Sequence, residues 1–348
     1  MREWGQDFQL NRLYGFVRAR QLEGTFPGDP ETGVWPITFM RIGYGWGFIP
    51  EEAWPHTRAT WPPNPEPPNL DHIAKQYRIS RYRRVRTMDE CKVVLAYCGP
   101  LLASFDITDA WYTAPSGVIP KLSPAETPTA SHAVCLVGYD DSTSRFKFIN
   151  SWGTDWGDDG CGYIPYDSFE EMWRESWFMD NHGFNGPPAS NYTKRAWGLQ
   201  ERTRIVFHGR EFVGPMDERI AWAFAVQREE GKVEVEELFV KPQFRNKRYG
   251  AALMRSMARL AAENHATLEL WISHADNDPA NLEFVERLLM NSGLRLENSG
   301  VGWAPLVARG GGDQCARDLR PRVETFQRPR SPFYGVARPG WVAQTGGT

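Results

Sequence analysis

The sequence predicts an α+β protein with two domains in tandem, and three observations carry that prediction. Its 348 residues are long for one compact domain and comfortable for two. Hydrophobic residues make up 41% and charged residues 24%, enough apolar side chains for two buried cores. The order of elements also changes partway: helical periodicity gives way to alternating strands, and after a linker-like stretch the pattern becomes three strands, a helix, a strand and a helix.

Taken in order, residues 8–24 (FQLNRLYGFVRARQLEG) place apolar side chains at helical spacing and end at a glycine, which predicts a helix. "PGDPETG" breaks it. Residues 34–54 predict a second short helix and a turn. "WPHTRATWPPNPEPPNL" is too rich in proline for anything but an extended loop. "TMDECKVVLAYCGP" predicts a helix that stops at Gly99-Pro100. The runs "LLASFDI", "HAVCLVGYD", "RFKFINSWG" and "GCGYIPY" predict strands. The composition of 183–200 predicts a linker, dividing a domain at 1–182 from one at 201–307. In the second domain "RTRIVFHGREFVG", "RIAWAFAVQ" and "KVEVEELFV" predict three successive strands. "YGAALMRSMARLAAENH" then predicts a helix, "TLELWIS" a strand and "NLEFVERLLMNSG" a helix. Residues 308–348, rich in Gly, Pro and Arg with few periodic apolar positions, are expected to be largely unstructured.

Composition excludes several classes. Net charge is −3, and the arginines of the tail are spread out with few aromatics, so neither nucleic acid nor an anionic membrane is an expected partner. No apolar run reaches the length of a bilayer span, and the first residues lack a signal pattern. A cytoplasmic protein is expected, provided Met1 is the native start. The five cysteines are irregularly spaced and give neither a disulfide framework nor a zinc site; no metal is expected.

Thiol-based acyl transfer needs a thiolate, an imidazole that shares its proton and a carbonyl that orients the imidazole. His132 opens one strand and Asn150 ends the next, so antiparallel pairing brings their side chains together. Trp152 is placed to shield their hydrogen bond from water. Here "HAVCLVGYD…FKFINSWGTDWGDDGCGYIPY" resembles the papain family of cysteine peptidases, and the resemblance covers roughly the first half of the chain. It implies a catalytic pair His132 and Asn150, flanking Trp152 and Trp156, and a peptide in the cleft. The fold it implies is a truncated papain-like domain, a helical part plus an antiparallel, barrel-like part. The departure is large: nothing matches the family's "Q-G-x-C-G-x-C-W" segment, which holds the nucleophile and the oxyanion glutamine. The resemblance places that segment ahead of Met1. The absent helix would be the wall between two lobes, and losing it would expose more apolar surface than a domain's stability tolerates, so an upstream start is expected. Cys91, Cys98, Cys135 and Cys161 are expected to be structural.

In the second domain, "VEVEELFVKPQFRNKRYGAALM" puts Arg245, Lys247 and Arg248 at a helix N-terminus, where unpaired N–H groups and the helix dipole favour a pyrophosphate. Gly250 lets the backbone come close to it. This strand, turn and helix resemble the GNAT acetyltransferase superfamily at Val240, Pro242, Arg245, Gly250, Ala252 and Leu253, over about 110 residues. The resemblance implies a GNAT α/β domain with a mixed sheet and acetyl-CoA as co-substrate. It would be held by Leu238, Phe239 and Val240 of the strand, by Arg245, Asn246, Lys247, Arg248, Tyr249, Gly250, Ala251 and Ala252 of the turn, and by Asn277. The first motif glycine is replaced by Arg248, and Phe284 or Val285 stands where the family often has an acidic tyrosine. Glu236 or Glu237 would deprotonate the acceptor amine, of a small molecule or a peptide; strand alternation lets at most one face it. The bland alternative for "VEVEE" is a solvated strand face.

Three functions follow: an acetyl-CoA-dependent N-acetyltransferase fused to a papain-like domain without its nucleophile in this chain; a cysteine peptidase with the GNAT domain accessory; or a non-enzymatic peptide-binding protein.

Overall fold

A computed structural model describes residues 9–55, 61–63, 65–122, 126–180, 206–214, 217–227, 231–270, 306–308 and 321–323. The chain forms two compact units, and the architecture is α+β throughout.

The first unit begins with α1 (Arg12–Leu22), capped by Asn11, whose Oδ1 accepts from the Tyr14 N–H at 2.7 Å. α2 (Pro36–Gly45) starts at a proline, whose missing N–H is no loss in a helix's first turn. α3 (Leu70–Ala74) closes a small core with Tyr14, Val17, Ile49 and Trp54. Then come β1 (Arg81–Val85), α4 (Met88–Tyr97), β2 (Leu101–Ile107), β3 (Ala130–Asp140), β4 (Arg145–Ile149), β5 (Cys161–Pro165), α5 (Tyr166–Met172) and β6 (Trp173–Asp180). The strands form one antiparallel sheet in the order β1-β6-β2-β3-β4-β5. One face carries a core dominated by rings: Phe105, Trp111, Phe146, Phe148 and Phe169 are all fully buried. Each such side chain contributes roughly 1.5–3 kcal/mol through area removed from water. Glycines let loop backbones close over this core. Gly117 (φ +73°) and Gly157 (φ +67°) both press on the Cys161 carbonyl, where a Cβ would stand 2.4 Å from the oxygen.

The second unit holds β7 (Val206–Val213), β8 (Arg219–Gln227), β9 (Lys232–Val240), α6 (Tyr249–Glu263) and β10 (Thr267–Leu270), in a four-stranded sheet ordered β10-β9-β8-β7. β7, β8 and β9 are antiparallel and β10 runs parallel to β9, so the sheet is mixed. α6 buries Leu253, Met254, Met257, Leu260 and Ala261 against Ala221, Ala223, Ala225, Val233 and Val235 of the sheet. A short ladder pairs β11 (Leu306–Ala308) with β12 (Pro321–Val323), the second of which lies inside the stretch 308–348 that composition alone marks as unstructured. The expected helix at 281–293, the linker and Asn277 lie outside the described residues.

Candidate functional site

Two sites emerge, one in each unit. In the first, sheet register does the positioning. Cys135 pairs with Ile149, and one step further sets Asn150 opposite Val134, two residues from His132 on the same face. His132 Nε2 lies 2.8 Å from Asn150 Oδ1. The Ser151 N–H donates to the same oxygen at 2.8 Å, which orients the amide with its oxygen toward the ring. Since that oxygen only accepts, Nε2 carries the hydrogen and Nδ1 keeps the free lone pair, the form that takes a proton. Burial pushes the His132 pKa below the ordinary histidine value, and the Asn150 bond acts in the opposite sense.

Aromatic rings enclose the pair. Trp152 stacks on His132 with centroids 4.7 Å apart and planes at 24°. Trp156 meets Trp152 edge-on at 5.2 Å and donates its indole N–H to the Trp111 carbonyl at 3.1 Å. Trp111 meets His132 edge-on at 6.4 Å, and Tyr112 stacks on Trp152 at 5.0 Å. Sequence reasoning singled out Trp152 and Trp156 but missed Trp111 and Tyr112. They sit in a short 3-10 turn (Asp109–Trp111 and the residue after it) that carries no motif.

The described cysteines lie elsewhere. Cys135 is three residues from His132 in a regular stretch of β3, and so faces the other way; Ile149 and Cys161 pair in line with it. Cys91 is buried in α4, with its thiol pushed up to about 12 by burial. Cys98 caps α4.

In the second unit the residues expected to form a site lie at and after the end of β9. Phe224 pairs with Glu237 and Ala225 with Val235, leaving Glu236 as an extra residue, a β-bulge. The bulge interrupts the alternation that would send the two carboxylates to opposite faces. Both Glu236 and Glu237 are 3% exposed, so this is not a solvated strand face. The described pairing with β10 ends at Val235, directly before the bulge. Leu238, Phe239 and Val240 follow, then a 3-10 turn (Pro242–Phe244), Arg245 with its Nε on the Val240 carbonyl at 3.3 Å, and α6.

The start of α6 suits an anion. It has no side-chain cap and no acid in its first turn, and Gly250, Ala251 and Ala252 keep its surface low. Arg245, Lys247 and Arg248 supply positive charge. Asn246 and Arg248 adopt left-handed backbone, φ +63° and +65°. The second is the position where the family has glycine, and the conformation accounts for that preference. These residues fit a coenzyme A pyrophosphate. No group of three or more metal-ligating side chains occurs among the described residues, and none of their helices is long and apolar enough to cross a membrane.

Comparison with known proteins finds a family match over each of the two regions. The profile of the papain family cysteine proteases covers residues 51–174, and that of the GNAT acetyltransferase family covers 166–289. The chain joins a papain-family domain to a GNAT domain. An uncharacterized peptidase C1-like protein of Acanthamoeba polyphaga mimivirus is 25% identical over 171 residues, 46% of this chain and 54% of the viral one. Pro-cathepsin H of Medicago truncatula is 31% identical over 130 residues, 35% of each chain. The chain therefore spans about half or less of the length of these relatives. Among solved structures, xylellain, a cysteine protease from Xylella fastidiosa, is 27% identical with a TM-score of 0.47, over 51% of this chain and 72% of that one.

Proposed function

We propose that the protein is an acetyl-CoA-dependent N-acetyltransferase, with its chemistry in the GNAT domain. The observation that carries this reading is the start of α6, which has no side-chain cap from its N-cap residue and follows a turn containing Arg245, Lys247 and Arg248, after a bulged strand with two buried carboxylates. Acetyl-CoA supplies an activated thioester. The turn from Arg245 to Ala252 would hold its pyrophosphate, and Leu238–Val240 its pantetheine arm. An amine held beside the thioester needs to lose one proton as it attacks, and Glu236 or Glu237, directly or through water, would take it. The carbonyl carbon gains the C–N bond, the C–S bond breaks, and coenzyme A leaves as the thiol. The acceptor is an amine of a small molecule or a peptide. Calorimetry on Gly250→Trp tests the assignment: the added indole at the helix start should abolish acetyl-CoA binding, and unchanged affinity would sink it.

The second reading is a cysteine peptidase, favoured by the His132–Asn150 geometry. A ring with Nε2–H anchored and Nδ1 open is arranged to accept a thiol proton. Mass spectrometry of the protein from its own cells tests this. A Cys-Trp segment ahead of Met1 supports the peptidase reading, and a product starting at Met1 removes it.

A further inference from the structure

Two kinds of chemistry stand on one chain, and they share one functional group. In the first unit His132 Nε2 is held at 2.8 Å from Asn150 Oδ1, and the Ser151 N–H donates to the same oxygen. That leaves Nδ1 to take a proton, the arrangement that thiol-dependent hydrolysis of an amide uses. Hydrolysis adds water across the C–N bond of a peptide. One product ends in a carboxylate, and the other begins with a new α-amine. In the second unit Glu236 and Glu237 lie at the bulge of β9, each 3% exposed, ahead of the start of α6. Under the acetyltransferase reading this site consumes an amine. The product of the first chemistry is thus the class of substrate that the second requires.

The acid–base groups of the second unit also discriminate among amines. Only the neutral amine attacks a thioester. A carboxylate is a far weaker base than a lysine side chain and stands closer to an α-amine, so it deprotonates the α-ammonium at the smaller cost. At about pH 7.5 an α-amine, with a pKa of about 7.7–8.0, is roughly one third neutral; a lysine, at about 10.4, is neutral in roughly one molecule in a thousand. A site whose bases are two strand carboxylates suits an amine that already loses its proton near neutral pH.

We propose that the acceptor is the α-amine of a peptide, and that peptide-bond hydrolysis is the class of reaction that supplies it. This assignment rests on the acetyltransferase reading and names its acceptor; the peptidase reading bears only on whether the protein also makes the cut. The α-nitrogen attacks the acetyl carbonyl carbon, the C–N bond forms and the C–S bond breaks. Of the two protons that the α-ammonium gives up, one reaches water through a glutamate and the other ends on the coenzyme A sulfur. The capped peptide has lost the positive charge at its N-terminus.

The experiment offers the whole chain acetyl-CoA and, at equal amine concentration, one of three acceptors: a pepsin digest of casein, Nα-acetyl-lysine or spermidine. The casein lysines are guanidinated before digestion, so that the free amines of the digest are α-amines made by hydrolysis. Chromatography of the coenzyme A formed gives the rate, and mass spectrometry of the peptides locates the acetyl group. The digest should outpace both small amines by about a hundredfold, with acetyl groups on peptide N-termini. Its kcat/KM should rise with pH and level at about 8 rather than about 10. A rate on either small amine equal to that on the digest, or no acetylation of the digest, overturns the proposal. Calorimetry with acetyl-CoA on the same sample separates the causes. If the coenzyme binds, only the acceptor is wrong and the acetyltransferase reading stands; if it does not bind, both fall.

Discussion

The two domains hold their chemistry in different materials. In the papain-like domain it resides in side chains. A register across β3 and β4 brings His132 to Asn150, and four aromatic rings pack around them. Such a site works only with every group present, and the described residues place no cysteine on the His132 face of β3. In the GNAT domain the proposed anion site would be mostly backbone: a helix start and the two left-handed residues Asn246 and Arg248. Backbone survives side-chain replacement, so an arginine can stand where relatives have glycine while the loop keeps its shape. The difference teaches that losing a catalytic side chain and losing a loop glycine would be unequal departures from a family pattern. The first removes a reacting atom, whereas the second adds strain and charge to a cradle that persists.

The largest expected effect tests whether the two domains fold independently. Phe148 is fully buried, its ring 5.6 Å from Trp111 and 5.9 Å from Trp156, and it fills the space above Gly162. Phe148→Ala should cost about 3–5 kcal/mol in the papain-like domain through lost burial and a cavity. Denaturation followed by near-UV circular dichroism should show one transition moving and another staying, with acetyl-CoA affinity unchanged. Joint loss of both would break the comparison.

Next comes the carboxylate pair. Under the acetyltransferase reading, one of Glu236→Gln and Glu237→Gln should lower kcat by about 10²-fold near neutral pH. The deficit should shrink at higher pH, where the amine needs no base. Equal, pH-independent losses from both would mean the pair only supports the bulge.

What was legible in the sequence follows the same division. Periodicity marked α1, α2, α4 and α6 and the strands β2–β5 and β7–β10, because their apolar faces repeat at the period of the element. It left β1 (RYRRV) and β6 (WRESWFMD) unassigned, since neither shows a clean apolar alternation. Sheet pairing makes them strands: β6 lies between β1 and β2 and bonds to both. The buried Glu175 is part of the reason: it accepts from the Trp177 indole at 2.8 Å, and burial pushes its carboxyl up while Arg84, Arg174 and Arg41 oppose the shift. Such compensation is invisible along the chain. His132 and Asn150 were readable because strand ends locate them. Trp111 and Tyr112 were not, since their packing around His132 and Trp152 joins segments far apart in the chain. Nor was the bulge, which arises from pairing and overrides the alternation expected at Glu236 and Glu237.

Arg248 sharpens the contrast at about 1 kcal/mol. Left-handed backbone costs a non-glycine residue roughly 1–2 kcal/mol, so Arg248→Gly should stabilise the GNAT domain by about that much in thermal denaturation. If the guanidinium clamps the pyrophosphate, the same change should weaken acetyl-CoA binding and flatten its salt dependence. Greater stability with undiminished affinity would leave Arg248 as strain without function.

The smallest effect lies in the papain-like domain and is a matter of sign. Burial holds the His132 pKa below the ordinary histidine value near 6.5. As pH falls through that value, the unfolded chain takes up a proton that the folded ring resists. Unfolding is then favoured, and stability declines until the folded ring titrates as well. His132→Gln removes this term, so its stability should vary less with pH between about 6.5 and the folded midpoint, at the cost of the Asn150 bond at every pH. Urea denaturation of both proteins across that window reads the slope. A parent no more sensitive than His132→Gln would mean that water already reaches the ring, and the papain-like site would be less closed than its aromatic enclosure implies.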